Sequence, residues 1–169
     1  MKLVLFAACL LFATLATAAP ADADLTRQVN GFVDAWHDDA AHARLAYFDK
    51  IAVDGIYIGT DRRERWQRDA FRMWARPYFE GKTSAWIFHA TRRNVYSSAD
   101  GALIWFDELL DTDGLGHCMA SGVVRKTTTS FEIVHYQLSL AVPNESLAQL
   151  ASLVHAAEAA QKEDASTAK

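Results

Sequence analysis

Apolar residues follow a helical period in the first half of this chain and a period of two in the second half. Leu25, Val29, Phe32, Val33 and Trp36 recur at helical spacing and predict an amphipathic helix of about four turns. A shorter stretch of the same kind predicts a second helix within residues 40–50. Both helices would have one apolar face with which to pack on another layer.

The next segment combines a brief strand with a third helix. Residues 56–58 are predicted to form a strand that stops at Gly59. Thr60 or Asp61 can cap the helix that follows. The predicted inner side of that helix is formed by Trp66, Ala70, Met73, Trp74 and Pro77.

Polar and apolar residues alternate through most of the remaining sequence. This period predicts strands at 84–96, 102–111, 116–127 and 131–142. Their short connections favour an antiparallel meander, and a last helix is predicted from Pro143 onward. Helices followed by such a sheet indicate the α+β class, in which N-terminal helices pack on one face of a curved, mostly antiparallel sheet. That arrangement leaves a cup between the helices and the sheet.

The strand at 131–142 is apolar on nearly both faces. Strict alternation predicts one face with Val134, Tyr136, Leu138 and Leu140, and an opposite face with Ile133, His135, Gln137 and Ser139. A strand of this kind is covered on both sides or lines a cavity. We therefore expect protein, water or a ligand to satisfy its polar side chains.

The N-terminus has the organisation of a secretory signal peptide. Lys2 precedes an apolar run at 3–15, and Ala16-Thr17-Ala18 is a small-residue cleavage site. Cleavage after Ala18 predicts a bacterial protein that is periplasmic or secreted, with no membrane segment left in the mature chain. Cys9 would leave with the signal, so that Cys118 alone remains and an intramolecular disulfide is impossible.

Length and composition indicate one mature domain of ordinary size. The chain has 169 residues and a formal net charge of −4, and this acidity disfavours a nucleic-acid role. We predict a signal peptide at 1–18 and one domain at 22–155. The small polar segment at 156–169 is predicted to be a disordered tail.

Several segments resemble the SnoaL-like branch of the nuclear transport factor 2-like superfamily, which includes the ketosteroid isomerases. The matching segments are 59–61, 64–66, 71–79, 105–109, 135–139 and 143–145. They extend over nearly the whole mature chain. The resemblance implies a cone-shaped fold, with a C-terminal helix beside the curved sheet. It implies no single activity, since the superfamily includes isomerases, cyclases, dehydratases and dimerisation domains.

The isomerase mechanism lacks its base in this sequence. The resemblance implies an Asp on the first short strand, and the matching positions here are Gly59 and Thr60, neither of which can accept a proton. Asp61 follows directly, but capping of the next helix is the simpler interpretation. The position of the isomerase base is therefore empty.

Asp107 and His135 are the two candidate acid–base residues. Asp107 lies between Trp105 and Leu109 on one strand face, where burial would raise the pKa of its carboxyl group. Alternatively, that face looks outward, or Asp107 pairs with Arg92 or Arg125 on an adjacent strand. His135 is either a base with a partner across the cup or a structural histidine. Alternation does not decide which face lines the cup.

Aromatic residues are predicted to line the cup. Five tryptophans, including Trp86, lie on elements around it, together with tyrosines and phenylalanines. Aromatic residues at such spacing are also common in cores. The predicted ligand-binding set is Trp36, Tyr57, Trp66, Trp74, Trp105, His135 and Gln137. No spacing typical of a zinc site is present, so neither a metal nor a cofactor is expected.

Three hypotheses follow. The first is an exported domain that binds a small, largely apolar ligand in an aromatic cup. The second is a cofactor-free acid–base enzyme of the isomerase, cyclase or lyase/dehydratase type, using Asp107 or His135. The third is a homodimerisation module that pairs two copies through the outer face of the sheet, which is compatible with either of the others.

Overall fold

The computed structural model describes residues 19–167, and the predicted signal peptide at 1–18 lies outside these residues. Four helices and seven strands occur in this part of the chain. The helices are α1 (Ala23–Ala41), α2 (Ala46–Asp49), α3 (Arg68–Phe79) and α4 (Leu147–Thr167), and the strands are β1 (Ala19–Pro20), β2 (Ile51–Ile58), β3 (Arg65–Gln67), β4 (Phe88–Ser97), β5 (Ile104–Thr112), β6 (Gly116–Lys126) and β7 (Phe131–Leu140). A single 3₁₀ turn at Asn144–Ser146 precedes α4.

The strands form one sheet in the order β1-β4-β5-β6-β7-β2-β3. All neighbouring pairs are antiparallel except β2 and β7, which are parallel. The helices α1 and α3 pack on one face of the sheet, which we call the inner face, and the other is the outer face. This architecture confirms the predicted α+β class and the cone-shaped fold.

The first predicted helix is confirmed, and its apolar stripe forms the centre of the core. Asp22 caps α1, because its side chain accepts hydrogen bonds from the backbone N–H groups of Asp24 and Leu25. Val29, Phe32, Val33 and Trp36 are buried against the inner face, as the helical period predicted.

The third helix begins later than the sequence pattern predicted. Residues Arg65–Gln67 form β3, which pairs with β2, and α3 starts after Gln67 rather than after a Thr60 or Asp61 cap. The buried side of α3 is Phe71, Ala75 and Phe79, so Trp74 and Met73 are exposed. The backbone N–H of Gly59 donates to the carbonyl of Glu64, which returns the chain along β2 as a hairpin. This long-range pairing overrides the helical pattern around Trp66.

A β-bulge at Val134 breaks the alternation predicted for the closing strand. Val123 and Val124 of β6 are neighbours in sequence, but they pair with His135 and Ile133 of β7, and the extra residue between these two is Val134. Ile133 and Tyr136 therefore both point inward and are buried. The prediction that they lie on opposite faces was wrong, since an inserted residue reverses the phase of a period-two pattern.

The last helix is longer than predicted. The segment 156–169, for which the sequence pattern predicts a disordered tail, is helical as far as Thr167. This part of the chain is rich in Ala, Gln, Glu and Lys, which have high helix propensity. The helix is exposed along most of its length, and Arg62 of the β2–β3 loop donates to its Glu158. No helix within residues 19–167 is long and apolar enough to cross a membrane.

Candidate functional site

A cavity of about 340 Å³ opens between α3, β3 and the turn that joins β5 to β6. Its lining comes from β2 and the loop after it, β3, α3, the segment that leads into the start of β4, the end of β5 with the β5–β6 turn, and β7. The residues at its surface are Tyr57, Gly59, Thr60, Glu64, Trp66, Phe71, Trp74, Ala85, Trp86, Ile87, Phe88, Thr112, Asp113, Gly114, Leu115 and Leu138. We call this cavity the cup.

Stacked aromatic rings form the wall of the cup. Phe71 is central: its ring centroid lies 4.1 Å from that of Tyr57 and 5.3 Å from that of Trp66, and both pairs are nearly parallel. Trp66 also lies 4.6 Å from Trp74. Trp86 continues the wall, with its centroid 5.7 Å from that of Phe71. Offset contacts of this kind are favourable beyond simple burial of area and fix the rings in place.

The polar groups of the cup lie at its rim. Glu64 is half-buried, and its Oε2 accepts a hydrogen bond of 3.2 Å from the backbone N–H of Asp61. The same oxygen lies against Gly59, so that a Cβ at that position would collide with it. Position 59 must therefore be glycine for the Glu64 carboxylate to lie where it does. The carboxylate occupies the space beside the position at which the isomerase pattern has its base.

Tyr57 connects the cup to the core. Its ring stacks on Phe71 on one side and lies 5.6 Å from Tyr136 on the other. Burial raises the pKa of its phenol well above the ordinary value of 10.0, and a hydrogen bond with Tyr47 offsets part of this rise. Tyr57 is thus neutral at physiological pH and can act only through its hydroxyl hydrogen bonds.

A buried ionic network lies deeper in the core, below the cup. The carboxylate of Glu108 is 1% exposed. Arg93 donates to its Oε2 at 2.8 Å, Tyr136 donates to its Oε1 at 3.0 Å, and Nε2 of His37 lies 3.3 Å from Oε1. Arg93 also donates to Asp34 of α1 at 2.8 Å. The network therefore connects α1 to the inner face of the sheet.

The charge state of Glu108 follows from two opposing effects. Burial raises the pKa of its carboxyl group, but the neighbouring His37 and Arg93 outweigh this rise, so that the pKa lies below its ordinary value. The same carboxylate, after the larger effect of burial, raises the pKa of Tyr136. Glu108 is thus an anion that the core holds by ion pairing.

Three of the predicted ligand-binding residues line the cup. Tyr57, Trp66 and Trp74 are at its surface, as the sequence pattern predicted. Trp36 is instead fully buried in the core, where its indole N–H donates to the carbonyl of Tyr47 at 3.0 Å. The ring of Tyr47 stacks on it at 4.9 Å, so Trp36 has no surface left for a ligand.

The three remaining ligand-binding candidates and the acid–base candidate Asp107 lie on the outer face of the sheet, away from the cup. Trp105 and His135 both pair with Val123, and Asp107 and Gln137 both pair with Ser121. Each pair therefore belongs to one row across the strands. The prediction that these residues line the cup fails for a physical reason: the rows alternate between faces, and the inner rows contain Phe106, Glu108 and Tyr136 instead.

Asp107 is hydrogen-bonded to a side-chain amide and not to either of the arginines that the sequence suggested as partners. Its Oδ1 accepts a hydrogen bond of 2.8 Å from the side-chain amide of Asn94 on β4. Neither Arg92 nor Arg125 forms an ion pair with it among the described residues. Arg125 binds Asp54 and Glu132 instead. Asp107 is thus an outward-facing carboxylate, which agrees with the alternative that its face looks outward.

Sequence reasoning missed Glu64, Phe71 and Glu108. Phe71 is recognisable in retrospect, because Phe71, Ala75 and Phe79 have helical spacing once the helix begins at Arg68. Glu108 lies on the same strand face as Ile104, Phe106 and Leu110. An inward carboxylate is therefore predictable at this position once that face is known to be the inner one. No local pattern indicated Glu64, since its position depends on the β2–β3 hairpin.

Solved structures share this fold at low sequence identity. An NTF2-like protein of unknown function from Pseudomonas putida KT2440 is 13% identical, with a TM-score of 0.59 over 76% of this chain and 94% of that one. A candidate aromatic ring hydroxylase from Novosphingobium aromaticivorans is 13% identical, with a TM-score of 0.60 over 73% and 93%. A candidate ketosteroid isomerase from Parabacteroides distasonis ATCC 8503 is 14% identical, with a TM-score of 0.54 over 68% and 86%. These similarities show that the chain has the NTF2-like fold.

A family model assigns the chain more closely. The model for the SnoaL-like domain matches residues 29–143, which is more than half of the sequence. The chain therefore belongs to the SnoaL-like domain family, and the predicted resemblance is confirmed. No protein of curated function matches the sequence.

The structure contains no obvious metal centre in the part of the chain that it describes. Within residues 19–167, no three His, Cys, Asp or Glu side chains are grouped as ligands of one ion would be. Cys118 is buried, and burial raises the pKa of its thiol. This direction disfavours the thiolate that a metal or a nucleophilic mechanism would need.

Proposed function

We propose that this SnoaL-like domain binds a small, flat, largely apolar molecule in the cup. The observation that supports the proposal is the aromatic lining: Trp66, Trp74 and Trp86 present aromatic surface to a cavity of about 340 Å³, and the stacked rings of Phe71 and Tyr57 lie behind them. Such a cavity lies within the range of sites for small molecules, which are mostly apolar with a few polar groups at their edge.

Native mass spectrometry of the protein purified from its own host tests this proposal. We expect a retained small molecule, and denaturing conditions should release it for identification. In a second arm, Ala85→Phe adds a ring to the lining of the cup and should reduce retention. Ala102→Phe, at an exposed loop position, adds the same ring elsewhere and should leave it unchanged. Equal retention by both variants would count against the cup as the site.

A second candidate function is acid–base catalysis by Glu64. The observation that favours it is the position of the carboxylate, half-buried at the rim and held against Gly59. Asp107 and His135 lie on the outer face, so Glu64 replaces them as the candidate base inside the cup. If the retained molecule is turned over, Glu64→Gln should abolish turnover and still bind it. Unchanged turnover in this variant would reject Glu64 as the base.

We also infer that two copies pair through the outer face of the sheet. This face has an apolar row of Tyr96, Trp105 and Val123, in which the first two rings stack at 5.6 Å. Met119 projects from the same face and is 49% exposed. Light scattering should give a dimer for the wild type and a monomer for Trp105→Glu. A monomeric wild type would reject the proposal.

Export from the cytoplasm is part of the same proposal. Its support is the apolar run and the small-residue site that end at Ala18. The mass of the protein recovered from the periplasm or the medium should correspond to a chain that begins at Ala19. A full-length chain in the cytoplasmic fraction would contradict both the signal peptide and the location.

A further inference from the structure

The charged side chains that line the cup are all acidic. Its ionisable residues other than Tyr57 are Glu64 and Asp113, and among residues 19–167 no Lys, Arg or His lines it. Most other carboxylates of the described chain have a cationic partner, for example Asp54 with Arg125 and Glu80 with Arg76. Within the same part of the chain, neither Glu64 nor Asp113 has an ion-pair partner. The cup therefore has a negative rim with no counter-charge from its own lining.

Basic residues of the neighbouring loop form no ion pair with this rim in the described part of the chain. Arg63 is bound by Asp61 through two hydrogen bonds of 2.9 Å, and Arg62 is bound by Glu158 of α4. Arg65 is the residue before Trp66 on β3, so its side chain points to the opposite side of the strand. The nearest cations are thus paired or directed away from the cup.

The aromatic wall adds to the effect of the two carboxylates. Aromatic faces carry negative electrostatic potential and attract cations, and Trp does so most strongly. Three tryptophans line the cup, Trp66, Trp74 and Trp86, and their centroids are separated by 4.6 Å and 6.2 Å along the wall. A cation in the cup would lie beside these rings, with Glu64 at the rim. The rings and the carboxylates therefore favour the same sign of charge.

The Glu64 carboxylate is held in place for this role. Its Oε2 accepts the backbone N–H of Asp61 at 3.2 Å and lies against the Cα of Gly59. Burial of the phenol of Tyr57 raises its pKa, and the negative charge of Glu64 raises it further. Glu64 and Tyr57 both line the cup, so the carboxylate and the phenol belong to the same cavity surface.

We infer that the cup selects an organic cation, namely a small aromatic or compact aliphatic molecule with an ammonium group. The inference rests on the proposed ligand-binding function and narrows its ligand from apolar molecules in general to those that carry a positive charge. The apolar body would contact the accessible parts of Trp66, Trp74 and Trp86, and the ammonium group would lie between these tryptophans and Glu64.

A pair of ligands with equal shape and different charge tests this inference. Para-hydroxyphenyltrimethylammonium and para-tert-butylphenol differ in charge alone, and calorimetric titration at mildly acidic pH keeps both phenols neutral. We expect the cation to bind at least about tenfold more tightly, because cation–π attraction and a carboxylate both favour it. Equal affinity, or tighter binding of the neutral phenol, would overturn the inference while leaving the proposed cup intact. If neither compound binds at about 1 mM, both proposals fail.

Charge-removing variants identify the residues responsible. Glu64→Gln should weaken binding of the cation by about three- to tenfold and leave the neutral phenol unchanged. Asp113→Asn should also weaken binding of the cation, but by a smaller factor, since Asp113 is more exposed. Asp100→Asn is the control, because it removes one negative charge at the β4–β5 turn, at the far end of β4 from Phe88. An equal loss for both ligands in Glu64→Gln would indicate a structural effect and overturn the inference.

A second variant separates the position of the carboxylate from its charge. Gly59→Ala retains Glu64 but moves its side chain, because the new Cβ would collide with Oε2. We expect weaker binding of the cation with an unchanged circular dichroism spectrum and unchanged binding of the neutral phenol. Unaltered cation binding would show that the position of Glu64 does not matter, which contradicts the inference.

Discussion

The two faces of the central sheet carry adjacent carboxylates in opposite environments. Asp107 and Glu108 follow one another on β5, yet Asp107 points outward and Glu108 points into the core. The outer residue has one amide partner, Asn94. The inner residue is in contact with Arg93, Tyr136 and His37. A shift of one residue along a strand thus changes what a carboxylate requires from its surroundings.

The difference teaches how this fold tolerates charge in its interior. Removing a carboxylate from water is costly unless an opposite charge and hydrogen bonds replace the solvent. The sheet supplies both to Glu108 through Arg93 of β4 and Tyr136 of β7, and α1 adds His37. Asp34 of α1 pairs with Arg93 instead. The outer face needs no such arrangement, because water remains available to Asp107. The following predictions test this contrast, beginning with the largest expected effect.

Glu108→Ala should be the most destabilising change. It removes the buried partner of Arg93, which keeps only the exposed Asp34, and it leaves the Tyr136 hydroxyl without its acceptor. Breaking a buried ion pair of this kind costs about 3–5 kcal/mol of the free energy of unfolding. Asp107→Ala, one residue earlier, should cost less than about 1 kcal/mol. Urea denaturation of both variants measures the difference. If Glu108→Ala does not fold, Glu108→Gln should still be less stable than Asp107→Asn. Equal losses on the two faces would contradict the contrast.

Gly122→Ala should have the next largest effect. A Cβ at this inward position would lie 2.5 Å from Cζ of Phe106, so that the ring must move. Overpacking of this kind costs about 1–3 kcal/mol. Ser121→Ala on the outer face is the matched control and should change the stability by less than about 0.5 kcal/mol. A neutral Gly122→Ala would show that the Phe106 ring has space to relax.

The pH dependence of stability should distinguish Glu108 from surface carboxylates. Its pKa in the folded protein is below the ordinary value of 4.5. Its stabilising contribution is therefore fully present above that value and is lost as the pH falls through the lower folded pKa. Thermal unfolding in acidic buffers should show this loss in the wild type and a smaller one in Glu108→Gln. Parallel pH profiles for the two proteins would contradict the assigned ion pairing.

Trp74→Ala should have the smallest effect on stability and a clear effect on the cup. Trp74 is 41% exposed and packs on Trp66 at the rim. We expect a loss of about 1 kcal/mol or less in the free energy of unfolding, together with weaker ligand binding. Met73→Ala, which is also exposed on α3, should change neither quantity appreciably. Denaturation and tryptophan fluorescence titration measure the two effects separately.

Much of the fold was predictable because each element has a clear local signal. The helical spacing from Val29 to Trp36 and the period-two runs of β5 and β6 gave the α+β class and the antiparallel sheet. The segments that resemble SnoaL-like proteins predicted the family, which the family model confirms. Of the candidate ligand-binding residues, Tyr57, Trp66 and Trp74 were correctly assigned to the cup, since aromatic residues on α3 and its neighbours converge there.

The remaining site residues could not be assigned from local patterns. Strand alternation separates two faces but does not indicate which one the helices cover, and both faces of β5 contain large apolar residues. Asp107 and His135 were therefore predicted as candidates, although the inward carboxylate is Glu108. The bulge at Val134 added a change of phase that the sequence of β7 does not reveal.

The sequence by itself determined most of the elements, their order and the family of this protein, because helical and strand periods are local properties of neighbouring residues. Only the tertiary structure decided which side of the sheet became the interior, because that choice depends on where α1 and α3 pack. It also decided the position of Glu64, which reaches Gly59 only when β3 pairs with β2. The cup and its negative rim arise from contacts between segments that no single stretch of sequence contains.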